Sequence, residues 1–164
     1  MKQLLLGAAI AVAVFGSSDV IANHAHCAAP RTPAAIATSV SVAPGPYAAD
    51  MPIPVTVTLT NTGSTLVMLA DVMHPDDHWL QFEVRDAQGS LVGYAGPEFK
   101  LRYQAQRIPL LPGYQWGRQF EDLRRFHRLP GPGVYTVAAV YGISPVGTCA
   151  LGVHRSATAT FTIQ

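Results

Sequence analysis

Ile53-Pro54-Val55-Thr56-Val57-Thr58-Leu59-Thr60-Asn61-Thr62-Gly63 decides the fold class. Its apolar residues recur at every second position. Ile53, Val55, Val57 and Leu59 therefore share one face, and Thr56, Thr58 and Thr60 share the other. A period of two marks a strand with one buried face and one wetter face. Valine and threonine are β-branched and fit the pleated surface well. Asn61-Thr62-Gly63-Ser64 then supplies turn chemistry.

The same pattern repeats on both sides of this stretch. Residues 36–42 alternate and predict a first strand, followed by a loop over 43–50 that contains Pro44-Gly45-Pro46. Residues 65–72 form a more continuous apolar run and predict a central strand. Over 79–85, Leu80, Phe82 and Val84 oppose Trp79, Gln81, Glu83 and Arg85. Asp86-Ala87-Gln88-Gly89 is a hairpin turn into 90–94. Further strands are expected over 107–111, 115–120, 133–141 and 156–163, with a helical turn within 122–129. Short strands at this spacing predict an all-β, immunoglobulin-like antiparallel sandwich of about eight strands.

The N-terminus sets an expected compartment. Lys2 precedes an apolar run over residues 4–15, and Val20-Ile21-Ala22 offers small residues for cleavage after Ala22. The run is shorter than the roughly 20 residues of a spanning helix, so a signal peptide over 1–22 is expected rather than an anchor. The predicted organisation is a leader with the first strand over 23–52, then a sandwich over 53–164 that forms one domain with 36–52. The expected localisation is secreted or periplasmic, with no membrane contact after cleavage.

Composition narrows the partner classes. Charged residues make up 13% and the net charge is +1, with no basic stripe, which argues against nucleic acid. An apolar share of 49% is too high for a disordered chain. Cys27 and Cys149 are the two cysteines, and in an exported chain a disulfide between them is the simplest expectation. The alternative is a pair of metal-ligating thiols.

Candidate chemistry is sparse. His74 and His78 flank Pro75-Asp76-Asp77 and could hold a metal if a third ligand such as His127 or His154 joined them. His24 and His26 sit beside the expected new N-terminus, where an amine with imidazoles suits Cu(II) or Ni(II). Pro75 and the flanking strands favour a Pro- and Asp-rich turn as the reading of the first cluster. No Gly-x-Ser-x-Gly, His-Glu-x-x-His, phosphate loop or dinucleotide fingerprint is present. The carboxylates Asp76, Asp77, Glu121 and Asp122 are adjacent in sequence, which is not the facing pair that hydrolysis of a glycoside needs. No catalytic residue, cofactor or resident metal is expected.

Tyr94, Phe99, Tyr103, Tyr114 and Trp116 gather around Lys100, Arg102 and Arg107. Aromatics with arginines suit an interface core, and aromatics also fill sandwich cores. Tyr94, Gly96, Lys100, Arg102 and Tyr103 are the expected partner-binding residues. Gly93 and Gly96 allow a sharp turn there, and the irregular stretch after Gly96 predicts a loop.

The ordered set Leu59-Thr60-Asn61-Thr62-Gly63, residues 66–69, Phe82-Glu83-Val84, Gly93-Tyr94-Ala95-Gly96, Lys100 to Arg102, Leu111-Pro112-Gly113 and Gly133-Val134-Tyr135 carries a resemblance. Over residues 53–141 it resembles the N-terminal β-sandwich domain of the deuterolysin / peptidyl-Lys metallopeptidase family. The resemblance implies a pro-region that contacts a zinc protease. The family's zinc motif would follow the sandwich. The sequence to Gln164 carries none, so catalysis is not implied. A looser similarity to small β-sandwich proteinase inhibitors rests on the Asn-containing strand end and the late Pro-Gly turn. The expected function is non-catalytic binding of a protein partner, a secreted metalloprotease by this resemblance. The alternative is a periplasmic metal-binding protein using His24, His26, His74 and His78. The residues leave the oligomeric state open.

Overall fold

A computed structural model describes residues 35–43, 45–71, 73–75, 79–97, 106–143 and 152–164. The described chain is all-β and sandwich-like. Its strands are β1 (Ile36–Val42), β2 (Val55–Asn61), β3 (Val67–Ala70), β4 (Leu80–Arg85), β5 (Leu91–Val92), β6 (Arg107–Leu110), β7 (Gln115–Phe120), β8 (Gly133–Ile143), β9 (Gly152–Arg155) and β10 (Ala159–Ile163). One 3-10 turn spans Leu123–Arg125. All strand pairings are antiparallel.

One sheet has the order β1-β2-β7, and a second has the order β10-β8-β4-β5, with β9 also on β8. The alternation in β2 supplies the first inner face. Val55, Val57 and Leu59 are fully buried, while Thr56, Thr58 and Thr60 are half-buried. Facing them across the core are Leu80, Phe82 and Val84 of β4 and Val137, Ala139 and Tyr141 of β8. Phe82 and Phe126 both meet Phe120 edge-on, with centroids 5.4 and 5.8 Å away. These aromatic contacts close the end of the core where β2 begins. Tyr135 Oη donates to Gly131 O at 2.8 Å. This return bond from the start of a strand to a carbonyl just upstream resembles the tyrosine corner of immunoglobulin-type sandwiches.

Two strands differ from expectation. The run over 65–72 does not form a central strand. β3 pairs with β6 in a separate two-stranded sheet. Val67 and Leu69 are buried, but Met68 and Ala70 are only half covered. Their apolar character mimics two-sided burial without requiring it. β9 is the second difference. It lacks apolar alternation, and pairing defines it: β10 pairs with β8 only over Gly133 to Val137, and further along β8 Val140 to Ile143 meet Gly152 to Arg155.

β7 shows how the outer edge of the first sheet is managed. Register places Trp116, Arg118 and Phe120 opposite Leu59, Val57 and Val55, in the inward row. Arg118 lies over the Phe120 ring at 5.3 Å and donates to Met73 O at 3.1 Å. A charged side chain on an edge strand disfavours pairing with another chain, and Arg118 is exposed. Gly117, between them, is required by space: a Cβ there would come 2.6 Å from Val57 O.

Candidate partner-binding surface

At the far end of β2 a single amide organises two turns. Asn61 is fully buried. Its Nδ2 donates to Thr65 O and Leu110 O, both at 2.8 Å, and its Oδ1 accepts from Gly63 N at 3.0 Å. Its backbone N–H donates to Tyr114 O at 3.1 Å, and its carbonyl accepts from Gly113 N at 2.8 Å. Every hydrogen-bonding group in this buried position is thus used, as burial demands. Leu111-Pro112-Gly113-Tyr114 turns between β6 and β7, closed by Tyr114 N to Leu111 O at 3.0 Å. Gly113 sits at φ 77°, the left-handed region that a type II turn needs after proline.

Apolar side chains lie outside this frame. Leu66 and Leu111 are the next positions beyond the Val67–Leu110 pair, so they lie side by side. Their exposures are 50% and 48%, and Tyr114 in the same turn is 62% exposed. A small apolar patch is therefore held on a backbone pinned from inside by Asn61. Leu111-Pro112-Gly113 was visible in the sequence as a turn. The patch was not, because Leu66 joins it only through the β3–β6 pairing.

The described part of the Tyr94 loop is built against the 3-10 turn. Tyr94 bridges to His127, and the two rings meet edge-on at 5.9 Å and 88°. Tyr94 Oη donates to Pro97 O at 2.9 Å, and Ala95 N donates to Phe126 O at 2.8 Å. A Cβ on Gly96 would come 2.5 Å from Tyr94 Oη and 3.1 Å from Arg125 O. Gly96 is thus a close-approach position. Tyr94 keeps 44% of its surface exposed. Tyr94 and Gly96 come together here, while Lys100, Arg102 and Tyr103 lie outside the described residues.

His74 lies in the connection from β3 to β4. Its ring stands edge-on to Phe126 at 5.5 Å and to Phe120 at 6.2 Å. His127 and His154 lie apart, one after the 3-10 turn and one in β9. Burial pushes both imidazoles below the usual histidine range. Among the described residues no three histidine, cysteine or acidic side chains form a group that could hold a metal. His24, His26, His78, Cys27 and Cys149 lie outside the described residues.

The adjacent acids have structural partners. Asp122 Oδ1 caps the 3-10 turn by accepting from Arg124 N at 3.0 Å, and it also accepts from Ile53 N at 3.1 Å. Glu121 lies 3.9 Å from Arg125. Beside this turn is a cleft of about 320 Å³ whose lining includes Ala95, Arg124, His127, Arg128, Leu129 and Ile163. Residues 122–129 were expected to form a helical turn, and they do so over Leu123–Arg125. The sequence signal for the cleft is the Arg124, His127, Arg128 spacing, which has meaning only once the turn is folded. Against known proteins, the chain matches no family model and no curated sequence is significantly similar to it.

Proposed function

We propose that this chain is a secreted or periplasmic, non-catalytic binding module that docks a protein partner through the Leu66, Leu111 and Tyr114 end of its sandwich. The observation that carries the reading is the exposure of these three side chains on turns fixed by the buried Asn61 amide. Aromatic and apolar groups on a pre-formed backbone lose little entropy on docking, and tyrosine is enriched among residues that dominate interface energies. The sequence resemblance to a metallopeptidase pro-region supplies the partner class, a secreted metalloprotease. Lys100, Arg102 and Tyr103, proposed for partner contact from the sequence, lie outside the described residues.

The test is a titration of the exported protein against a purified deuterolysin-type protease by surface plasmon resonance. Tyr114→Ala and Leu111→Asp are expected to weaken binding about thirtyfold each, the equivalent of roughly 2 kcal/mol at an interface centre. Melting temperatures should stay within about two degrees of wild type, as expected for surface changes. Wild-type affinity in both variants would remove this end of the molecule from the interface. Failure of the unaltered protein to bind would remove the protease as partner.

A further inference from the structure

The Tyr94 side of the molecule carries a second feature, independent of the docking end. β5 pairs with β4 at only two positions, Val92 with Val84 and Leu91 with Arg85. The chain just beyond it is held to the region of the 3-10 turn. Tyr94 makes an isolated antiparallel bridge to His127, and Ala95 N donates to Phe126 O at 2.8 Å. The His127 ring fastens the same stretch. It is 2% exposed, its Nδ1 lies 3.2 Å from Val92 O, and the Tyr94 ring stands edge-on to it at 5.9 Å. A carbonyl can only accept, so Nδ1 carries the hydrogen, and in the neutral ring Nε2 is a bare acceptor.

Nε2 decides what acid does here. It is buried and has no hydrogen-bond partner. A bare lone pair is tolerated there at modest cost. Protonation turns it into a charged N–H facing no acceptor, which burial penalises far more. Among the described residues, the charged groups on this side offer no counter-ion. Arg124 and Arg128 line the cleft with the ring and are cations. Asp122 Oδ1 is taken by Ile53 N and Arg124 N, and Glu121 lies against Arg125. Asp50 follows Ala49 of the cleft wall and is exposed to solvent. The Tyr94 hydroxyl donates to Pro97 O. Burial accordingly holds the ring below the usual histidine range, against the pull of the Val92 and Gly93 carbonyls. An imidazolium at this position gains most by leaving for water.

We propose that His127 is an acid-released latch: its neutral ring fastens residues 93–97 to the 3-10 turn region, and its protonated form frees them while the sandwich stays folded. The segment follows a two-residue strand whose Leu91 is 61% exposed, and such weakly packed edges open before the core does. Tyr94 is 44% exposed on the closed segment. A contact made through it is therefore available at neutral pH and withdrawn in acid. The freed histidine titrates normally, so opening is favoured as pH falls through about 6.5. With the closed ring kept neutral, the open fraction rises by at most about thirtyfold from pH 7.5 to pH 5.

The test is amide hydrogen exchange of the protein by NMR at pH 7.5 and pH 5. Rates are expressed as protection factors, which removes the intrinsic pH dependence of exchange. The Ala95 amide is expected to be less protected than the Val57 and Leu59 amides of β2 at both pH values, because it opens locally. Its protection should fall at least about threefold on acidification, with about thirtyfold as the ceiling. His127→Gln keeps a donor for Val92 O and does not titrate, so the fall should vanish. His154→Gln should retain it. Protection of Ala95 equal to that of β2 would overturn the assignment. So would a smaller fall, a fall that survives in His127→Gln, or one lost in His154→Gln. If His127→Gln does not fold, the wild type decides: the Tyr94 ring ¹H and His127 Hε1 shifts must titrate with a common midpoint, and separate midpoints refute the latch.

Discussion

Replacing Asn61 should be the most informative perturbation of this fold. Asn61→Ala deletes three side-chain hydrogen bonds: two to Thr65 O and Leu110 O, and one from Gly63 N. At about 1 kcal/mol net each, these account for roughly 3 kcal/mol. The bond to Leu110 O is buried, and an orphaned buried carbonyl adds about 1–3 kcal/mol. The other two bonds lie nearer the surface, where water replaces part of the loss. The expected total is about 3–5 kcal/mol, or a fall in melting temperature of roughly 10–15 °C for a domain of this size. The deciding control is Asn61→Asp, which preserves volume and the acceptor for Gly63 N. It replaces both donated bonds with an oxygen facing two carbonyl oxygens, so it should be at least as destabilising as alanine. Urea unfolding of wild type and both variants, followed by tryptophan fluorescence, measures the differences. An aspartate variant within about 1 kcal/mol of wild type would refute the claim that donation by Nδ2 holds the two turns together.

Three further expectations follow from particular contacts. Gly117→Ala should cost about 1–3 kcal/mol, since its Cβ would meet the Val57 carbonyl at 2.6 Å and force β7 from β2; wild-type denaturation midpoints would contradict this. His127 and His154 are held below the usual histidine range by burial, so the unfolded chain protonates first as pH falls. Their contribution to stability is complete above about pH 6.5 and declines below it, and melting curves from pH 7.5 to 5 should flatten in His127→Gln and His154→Gln. Gly96→Ala should displace the Tyr94 ring, because the added carbon would sit 2.5 Å from its Oη. The aromatic ¹H shifts of Tyr94 and His127 should both move, and unchanged shifts would show that the loop has room.

Much of the fold was legible because strand alternation is a local property. Residues 53–61 carry the period of two that β2 uses, and 79–85 place Leu80, Phe82 and Val84 on the buried side as β4 does. Asp86-Ala87-Gln88-Gly89 is a turn by its own chemistry, with Asp86 Oδ1 accepting from Gln88 N and Ser90 N at 3.0 and 2.8 Å. Each of these is decided by residues within a few positions of one another.

What only the tertiary structure decided depends on partners distant in sequence. β9 exists because β8 outruns its pairing with β10, and β3 is peripheral because its partner is β6 rather than a strand of either main sheet. Asn61 read as one more turn residue. Its weight comes from Leu110, which lies 49 positions away and whose carbonyl accepts from Nδ2 in the fold. Arg124 and Arg128 lie in a stretch from which the sequence predicts only a helical turn. That they line one cleft with His127 depends on where the turn sits, and the hydrogen bonds of Asp122 and Leu123 to Ile53 tie it to the start of β2. Alternation fixes which face of a strand is buried, but it carries no information on which strand lies opposite. Binding sites are assembled at that second level.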